Sequence, residues 1–319
     1  MGIISGVNAV NDGLIFSIDA GNSFCYPKVS YGTVCGTANE PSNLTLTAPA
    51  GGVFDQINYA SYGTPNGTCG LYTNGACHAT GSTTAVGTYL LNNSTGTIPA
   101  TNAVFGDPCP GTPKRLYVEA RYRSNDANNL TGNASNASLV NGIGFTTSNV
   151  GYFSFDGTND YMNIPTTLSI NASSFSSVVI FKLTTNADGN SLLNLNYLSP
   201  SSGYLIRQNA SNNIIVYTNN GTETSISSTA TLSTNTVYHL CVIQNSGVCS
   251  IYINGSLDKS ASLSNPVLTS SYESYIGRRG GPSIGAYLSG SVSQVQIYNR
   301  ALSAAEVRQN YNSTKRRYL

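Results

Sequence analysis

Paired carboxylates could do acid–base work, but the five glutamates, Glu40, Glu119, Glu223, Glu273 and Glu306, are scattered along the chain. None stands in the Glu-x-Asp-x-x-Glu spacing that sets carboxylates alternately on one face of a strand for glycoside hydrolysis. Gly-x-Ser-x-Gly, His-Glu-x-x-His and a phosphate loop are also missing, so the chain reads as a non-enzyme. Asp156, Asn159 and Asp160, in FDGTNDY, could offer oxygen ligands to calcium. The same residues suit an ordinary Asx-rich turn, which is the favoured reading, and no other cofactor is expected. His78 reads as a structural hydrogen-bonding residue; with His239 its only companion, a zinc site is not expected.

The elements that must carry these residues are strands. Runs such as VVIFKL, NIIVYT and CSIYING are short, β-branched or aromatic, and bounded by Asn, Gly and Ser. One helix is expected from Ser303 to Asn310, where Ser303 can cap and Glu306 follows three residues later. The 319 residues suggest two domains, each able to bury a core. Only 9% of residues are charged and the net charge is +1, which argues against nucleic acid as a partner. The one basic cluster, Lys315, Arg316 and Arg317, reads as a solvated tail, with an electrostatic contact to a partner protein as the alternative. No run approaches the roughly 20 apolar residues that would span a bilayer, so no membrane partner is expected.

The stretch from Phe54 to Tyr122 is the most informative. It reads FDQINYASYGTPNGTCGLYTNGACHATGS, then a variable run, then FGDPCPGTPKRLYVEARY. Its blocks I-x-Y-A-S-Y-G-T-P-x-G-T-C, G-x-C-H-A, F-G-D-P-C-P-G-T and K-x-L-x-V-E-A resemble the galactose/rhamnose-binding (SUEL-type) lectin module, in the order and spacing of that family. The resemblance implies a small β-rich domain with room for one short helix, which reads a sugar and does no chemistry on it.

The same resemblance implies a cysteine pattern. The family's eight cysteines pair first with third, second with eighth, fourth with seventh and fifth with sixth. Here Cys35, Cys69, Cys77 and Cys109 take the first, third, fourth and seventh places, so Cys35–Cys69 and Cys77–Cys109 are the expected disulfides. The second and eighth places are Ala48 and Tyr122, and the fifth and sixth fall near Leu90 and Gly96. Two bridges are therefore missing as whole pairs, and each forfeits roughly 2–4 kcal/mol of unfolded-state restriction that must be recovered elsewhere. Cys241 and Cys249 flank a hairpin turn at Asn245-Ser246-Gly247, which leaves open a cross-strand disulfide or two buried thiols, and Cys25 is left over.

Carried over position by position, the family's carbohydrate-binding residues fall on Glu40, Tyr62, Asn102, Asp107, Gly111 and Lys114. Ionised Glu40 and Asp107 would accept hydroxyl protons, Lys114 would donate, and Gly111 would let its backbone N–H come close. The implied pocket is shallow and open to solvent, with the Tyr62 ring lining it, although taken alone Tyr62 reads as core packing. Loss of Lys114 is expected to weaken binding and leave the fold intact. Thr64 and Arg115 depart from the family's Tyr-Gly-Arg and Lys-Tyr-Leu, which bears on fine specificity.

Residues on either side of this module resemble a different family. DGLIFSIDAGNSFCYP before it, and GYFSFDGTNDYMNIP, TVYHLCVIQNSGVCSIYINGSLDKS and GSVSQVQIYNRALSAAEVRQNY after it, resemble laminin-G-like (concanavalin-A-like) domains. The segment that normally follows the opening strand is here SNDANNLTGNASNASL, beyond the lectin module. The expected architecture is thus all-β: a concanavalin-A-like jelly-roll sandwich from residues 1–33 and 123–319, with the lectin module, 34–122, inserted in an early loop.

MGIISGVNAVNDG has neither the positive n-region nor the apolar h-region of a secretory signal, whereas disulfides and a lectin module suit an extracellular working place. A virion protein, made in the host cytoplasm and exposed after lysis, reconciles the two. The opening DGLIFSIDAGNSFCYP and closing NYNSTKRRYL also resemble laminin-G-like structural proteins of tailed bacteriophages, marine ones in particular. The expectation is a carbohydrate-binding virion surface protein, a fibre or capsid decoration, that attaches weakly and multivalently to galactose- or rhamnose-like glycans. Its other partners would be virion structural proteins, in a homo-oligomer or multicopy assembly. The alternatives are a purely structural virion protein whose insert binds no sugar, and a secreted cellular adhesin.

Overall fold

The structure is a computed structural model and describes residues 9–49, 51–132, 136–164, 168–198, 201–268, 273–280 and 286–318. As expected, it is built almost wholly of antiparallel strands. The chain divides into two compact units, one from residues 1–27 with 126–319 and one from residues 28–125.

The larger unit is a sandwich. Its opening strand, Leu14–Asp19, pairs with the late strand Ser289–Tyr298, which also pairs with Ser174–Leu183 and Tyr152–Asp156. On the far side of Ser174–Leu183 the sheet continues through Val237–Asn245, Val248–Ile253 and Ser256–Ser262. A second sheet runs in the order Glu223–Thr231, Asn213–Asn219, Ser202–Gln208, Ser191–Leu198, Ser274–Ile276, Tyr161–Ile164 and Ala137–Val140. Strand periodicity explains the layering: Ile214 and Val216 are buried while Asn213, Ile215 and Tyr217 alternate outward. Phe16, Phe153, Phe175, Phe181, Leu193, Ile206 and Val295 meet in one core between the sheets. Two hairpins close on residue pairs with positive φ, Ser246-Gly247 and Asn254-Gly255, the backbone that a tight two-residue turn requires.

Register settles the fate of the late cysteines against a disulfide. Cys249 faces Gln244 and Cys241 faces Tyr252 on the paired strand, so an odd offset separates the two thiols and they point to opposite faces of the sheet. Cys249 lies in the core between the sheets; Cys241 lies on the other side, with Val10, Tyr298 and Val307. Both are buried free thiols, as is Cys25.

The closing helix runs Ala304–Tyr318, well past the expected Asn310. Its start is the expected capping box: Ser303 N–H donates to Glu306 Oε2 at 2.8 Å, and Glu306 N–H donates back to Ser303 Oγ at 3.3 Å. The buried stripe is Val307, Asn310, Thr314 and Tyr318. Asn310 satisfies itself by accepting from Val10 N–H at 2.8 Å and donating to the Tyr298 hydroxyl at 3.1 Å. The basic cluster is therefore no solvated tail. Lys315 and Arg316 are exposed on the helix, but Arg317 forms a two-pronged ion pair with the buried Asp19, both bonds at 3.0 Å.

The smaller unit centres on strands Val53–Gly63 and Arg115–Ala127, which pair antiparallel, with Lys28–Asn39 on the other edge of the latter. Ser30 Oγ meets Ser124 Oγ at 3.0 Å, so these outer residues belong to the unit and its limits are wider than the expected 34–122. Strands Asn43–Thr47 and Thr95–Pro99 form a separate ribbon. Two helical segments are present where one was expected, Ser82–Leu90 and the single turn Asn102–Phe105. Leu44, Leu46, Phe54, Tyr62, Val86, Leu90, Ile98, Leu116 and Val118 make the core. The expected disulfides Cys35–Cys69 and Cys77–Cys109 are formed, with Cα atoms 5.8 and 6.0 Å apart.

Candidate functional site

Glu40 follows strand Lys28–Asn39, and Lys114 precedes strand Arg115–Ala127. Glu40 N–H donates to the Lys114 carbonyl at 3.0 Å, which places the two side chains together where these strands begin and end. The Glu40–Pro41 peptide is cis. Lys114 Nζ then reaches three oxygens: Glu40 Oε2 at 3.3 Å, Asp107 Oδ1 at 3.1 Å and the Thr112 carbonyl at 3.1 Å. Asp107 lies in the loop after the turn Asn102–Phe105, where its Oδ1 also accepts from Cys109 N–H at 3.3 Å. The Cys77–Cys109 bridge ties that loop to the body of the unit.

Tyr62, at the end of its strand, donates its hydroxyl to Asn102 Oδ1 at 2.8 Å. Its ring is fully buried and stacks on Phe105 with centroids 4.9 Å apart. Five of the six expected residues, Glu40, Tyr62, Asn102, Asp107 and Lys114, thus form one network. Gly111 lies on the exposed loop between Asp107 and Lys114; its φ of +76° is the left-handed backbone that glycine takes without strain.

Charge explains how the network holds. The neighbouring Tyr62 hydroxyl, whose proton Glu40 and Asn102 both stand to accept, and then the Lys114 ammonium outweigh burial and hold the Glu40 carboxyl below its usual range. Burial pulls the Lys114 pKa down, but hydrogen bonds and charges from Asp107 and Glu40 overcome it, and the net shift is upward. Burial, then the Glu40 and Asp107 carboxylates, push the Tyr62 hydroxyl well up, so it remains a donor.

Two expectations need correction. The pocket is not open around the lysine: the Lys114 side chain is only 3% exposed, against 23% for Glu40 and 36% for Asp107. A buried ammonium shared by two carboxylates is structural as well as chemical, so removing it would leave two like charges facing each other. Nor does the Tyr62 ring offer a platform, because Phe105 covers it; only the hydroxyl enters the network. Phe105 is the residue the sequence reading missed. The signal was its position heading F-G-D-P-C-P-G-T, directly before the binding loop.

The other candidates are occupied in place. His78 Nδ1 meets Ser61 Oγ at 2.8 Å, a structural bond. Asp156 Oδ1 accepts from Thr158 N–H at 2.7 Å and Asn159 N–H at 3.3 Å, and Asp160 Oδ2 accepts from Asp156 N–H at 3.1 Å. Asp156 Oδ1 and Asp160 Oδ2 are therefore committed to the turn that carries them, while Asp160 Oδ1 is buried without a partner among the described residues. Among the described residues no group of three or more His, Cys, Asp or Glu is placed to hold a metal ion.

Comparison with known proteins matches these two units separately. Residues 46–122 match the D-galactoside/L-rhamnose binding SUEL lectin domain. Residues 156–308 match Laminin_G_3, of the concanavalin A-like lectin/glucanases superfamily. Beta-galactosidase 6 of Oryza sativa subsp. japonica is 40% identical over 78 residues, which is 24% of this chain and 9% of that protein. Beta-galactosidase 8 of Arabidopsis thaliana is 40% identical over 68 residues, 21% of this chain and 8% of that protein. The chain therefore spans less than a tenth of either plant enzyme. Among solved structures, domain 4 of AbnA, a GH43 extracellular arabinanase from Geobacillus stearothermophilus in complex with arabinotriose, superposes with a TM-score of 0.50 at 16% identity. That superposition covers 57% of this chain and 91% of the bacterial domain, and it supports the sandwich fold.

Proposed function

We propose that the chain is a carbohydrate-binding protein whose SUEL-like unit holds a galactose- or rhamnose-like ring by adjacent hydroxyls, and that it binds without turning its ligand over. The observation that carries this reading is the convergence of Glu40, Asn102 and Asp107 around Lys114 and the Tyr62 hydroxyl. Asp107 Oδ2 has no partner among the described residues, and Asn102 is exposed, so an acceptor and an amide donor remain for a ligand. Lys114 sets the spacing of the two carboxylates from beneath instead of reaching out to the sugar.

Such a site is weak on its own. Each hydroxyl bond replaces one to water and nets about 0.5–1.5 kcal/mol, somewhat more where the partner is charged. Linked copies raise avidity by roughly 10²–10⁴ without a new contact. A virion surface, as fibre or capsid decoration beside other structural proteins, would supply those copies. That placement rests on the resemblance of the opening and closing segments to tailed-phage proteins, and antibodies against the chain should then decorate intact particles.

The alternative, a structural insert that binds no sugar, draws on one observation: Lys114 is buried and its charge already matched. A glycan array probed with the full chain separates the two. Retention on galactose- or rhamnose-terminated glycans, lost in Asp107→Ala, supports the lectin reading; a blank array from the folded protein supports the structural one.

A further inference from the structure

The sandwich unit has a cavity of about 320 Å³ where Asn22 and Phe24 face Asn128, Leu130, Gly132 and Asn136. Phe24 is 64% exposed at this cavity, and its backbone is held from both sides. Asn22 Oδ1 accepts from Phe24 N–H at 3.0 Å, and Asn128 Nδ2 donates to the Phe24 carbonyl at 2.6 Å. An exposed aromatic ring on a fixed backbone is a platform, since little further ordering is needed when something stacks on it.

The amides around it are oriented by their partners. A carbonyl can be met only by an amide NH₂, so Asn128 keeps its Oδ1 free among the described residues. Asn136 Oδ1 accepts from Asn129 N–H at 3.2 Å, so Asn136 keeps its NH₂. The cavity thus presents one acceptor and one donor beside an aromatic face, the complement of two hydroxyls on a ring with an apolar C–H side. Among the described residues no charged side chain lines it. Its volume is at the small end of ligand pockets, which run from about 300 to 1,000 Å³, and suits a single ring.

We propose that this cavity is a second carbohydrate subsite, separate from the SUEL-like site, that takes one neutral pyranose. The sugar's C–H face lies on Phe24, and vicinal hydroxyls reach Asn128 Oδ1 and Asn136 Nδ2. Two dissimilar subsites on one chain would add avidity on a surface that displays ligands for both.

The test uses full-length Asp107→Ala protein, in which the first site is disabled, and saturation-transfer NMR with methyl glycosides of glucose, galactose and mannose and with glucuronic acid. Transfer to at least one neutral glycoside should persist, and adding Phe24→Ala should weaken it at least tenfold. Asn136→Ala should weaken it as well. Phe24 is exposed, so the thermal midpoint should stay unchanged and a folding defect would not mimic the result. Transfer that vanishes with Asp107→Ala alone would overturn this subsite while leaving the first standing. Transfer insensitive to Phe24→Ala, or a preference for glucuronic acid, would overturn it too.

Discussion

Leu90 packs onto Gly96: a Cβ placed on that glycine would meet Leu90 Cδ2 at 2.7 Å and crowd the Tyr89 carbonyl still more closely. These positions lie near those where the resembling lectins carry their fifth and sixth cysteines. A leucine laid over a bare backbone therefore occupies the place of a lost bridge. At the second lost pair, Ala48 and Tyr122 both pack against a third residue, Gly52, where a Cβ would meet Ala48 Cβ and Tyr122 Cδ2 at 3.0 Å. Gly96→Ala should destabilise by roughly 1–3 kcal/mol through overpacking. Leu90→Ala should cost roughly 2–5 kcal/mol through the void it leaves. Urea denaturation of the full chain would measure both, and a neutral Leu90→Ala would show that the packing does not stand in for the bridge.

Arg317 is expected to matter far more than a charge near a chain end ordinarily does. Asp19 is fully buried and receives both prongs of the guanidinium together with the Tyr318 hydroxyl. Arg317→Ala strands that carboxylate and should cost about 3–5 kcal/mol. The double variant Asp19→Asn/Arg317→Leu should cost less than Arg317→Ala alone, since it removes the unpaired charge. Denaturation midpoints of the single and double variants check the sign of that difference.

His239 should make the sandwich acid-sensitive. The ring is fully buried against Tyr311, and neither nitrogen has a partner among the described residues. Burial lowers its pKa from 6.5 to about 4. Between those values the unfolded chain takes up a proton that the folded chain refuses, so stability is full above pH 6.5 and falls as pH drops towards 4. The slope from this one group is at most about 1.4 kcal/mol per pH unit. His239→Leu loses no side-chain hydrogen bond and should flatten thermal midpoints across that window. An unchanged slope would place the acid sensitivity elsewhere.

Sugar binding should follow a lower window. The Glu40 carboxyl is held below its usual range, first by Tyr62 and then by Lys114. The carboxylate is thus present through mildly acidic pH, and affinity should stay level down to the ordinary glutamate range and fall only below it, as Glu40 takes a proton. Titrations from pH 8 to 4 check this; affinity that fell steadily from pH 7 would place control outside Glu40.

How much could be read in advance depended on what kind of signal each residue left. Alternation made the strands legible, as in Arg115–Ala127, where Leu116, Val118 and Ala120 are buried and Tyr117 and Glu119 turn outward. The meeting of Glu40, Asp107 and Lys114 was legible only through the resemblance to the SUEL-type lectins, since each of the three taken singly reads as an ordinary turn or surface residue. The far half of the closing helix was hidden, since its buried stripe uses Asn310 and Thr314 and looks polar in sequence. Burial of Lys114 was hidden for the same reason: a lysine carries no sign that two carboxylates will enclose it. Cys241 and Cys249 looked pairable because proximity in a hairpin says nothing of face until register is known.

Titration of methyl α-D-galactoside and of L-rhamnose into the full chain carrying Phe24→Ala tests the central claim most directly, because any contribution from the second cavity is removed. The account predicts saturable, weak binding of at least one sugar, with dissociation constants on the order of 0.1–10 mM. It further predicts that Asp107→Ala or Glu40→Ala in that background abolishes the signal while circular dichroism shows the fold retained. Binding unaffected by both substitutions, or no binding of either sugar by the folded parent, would contradict it.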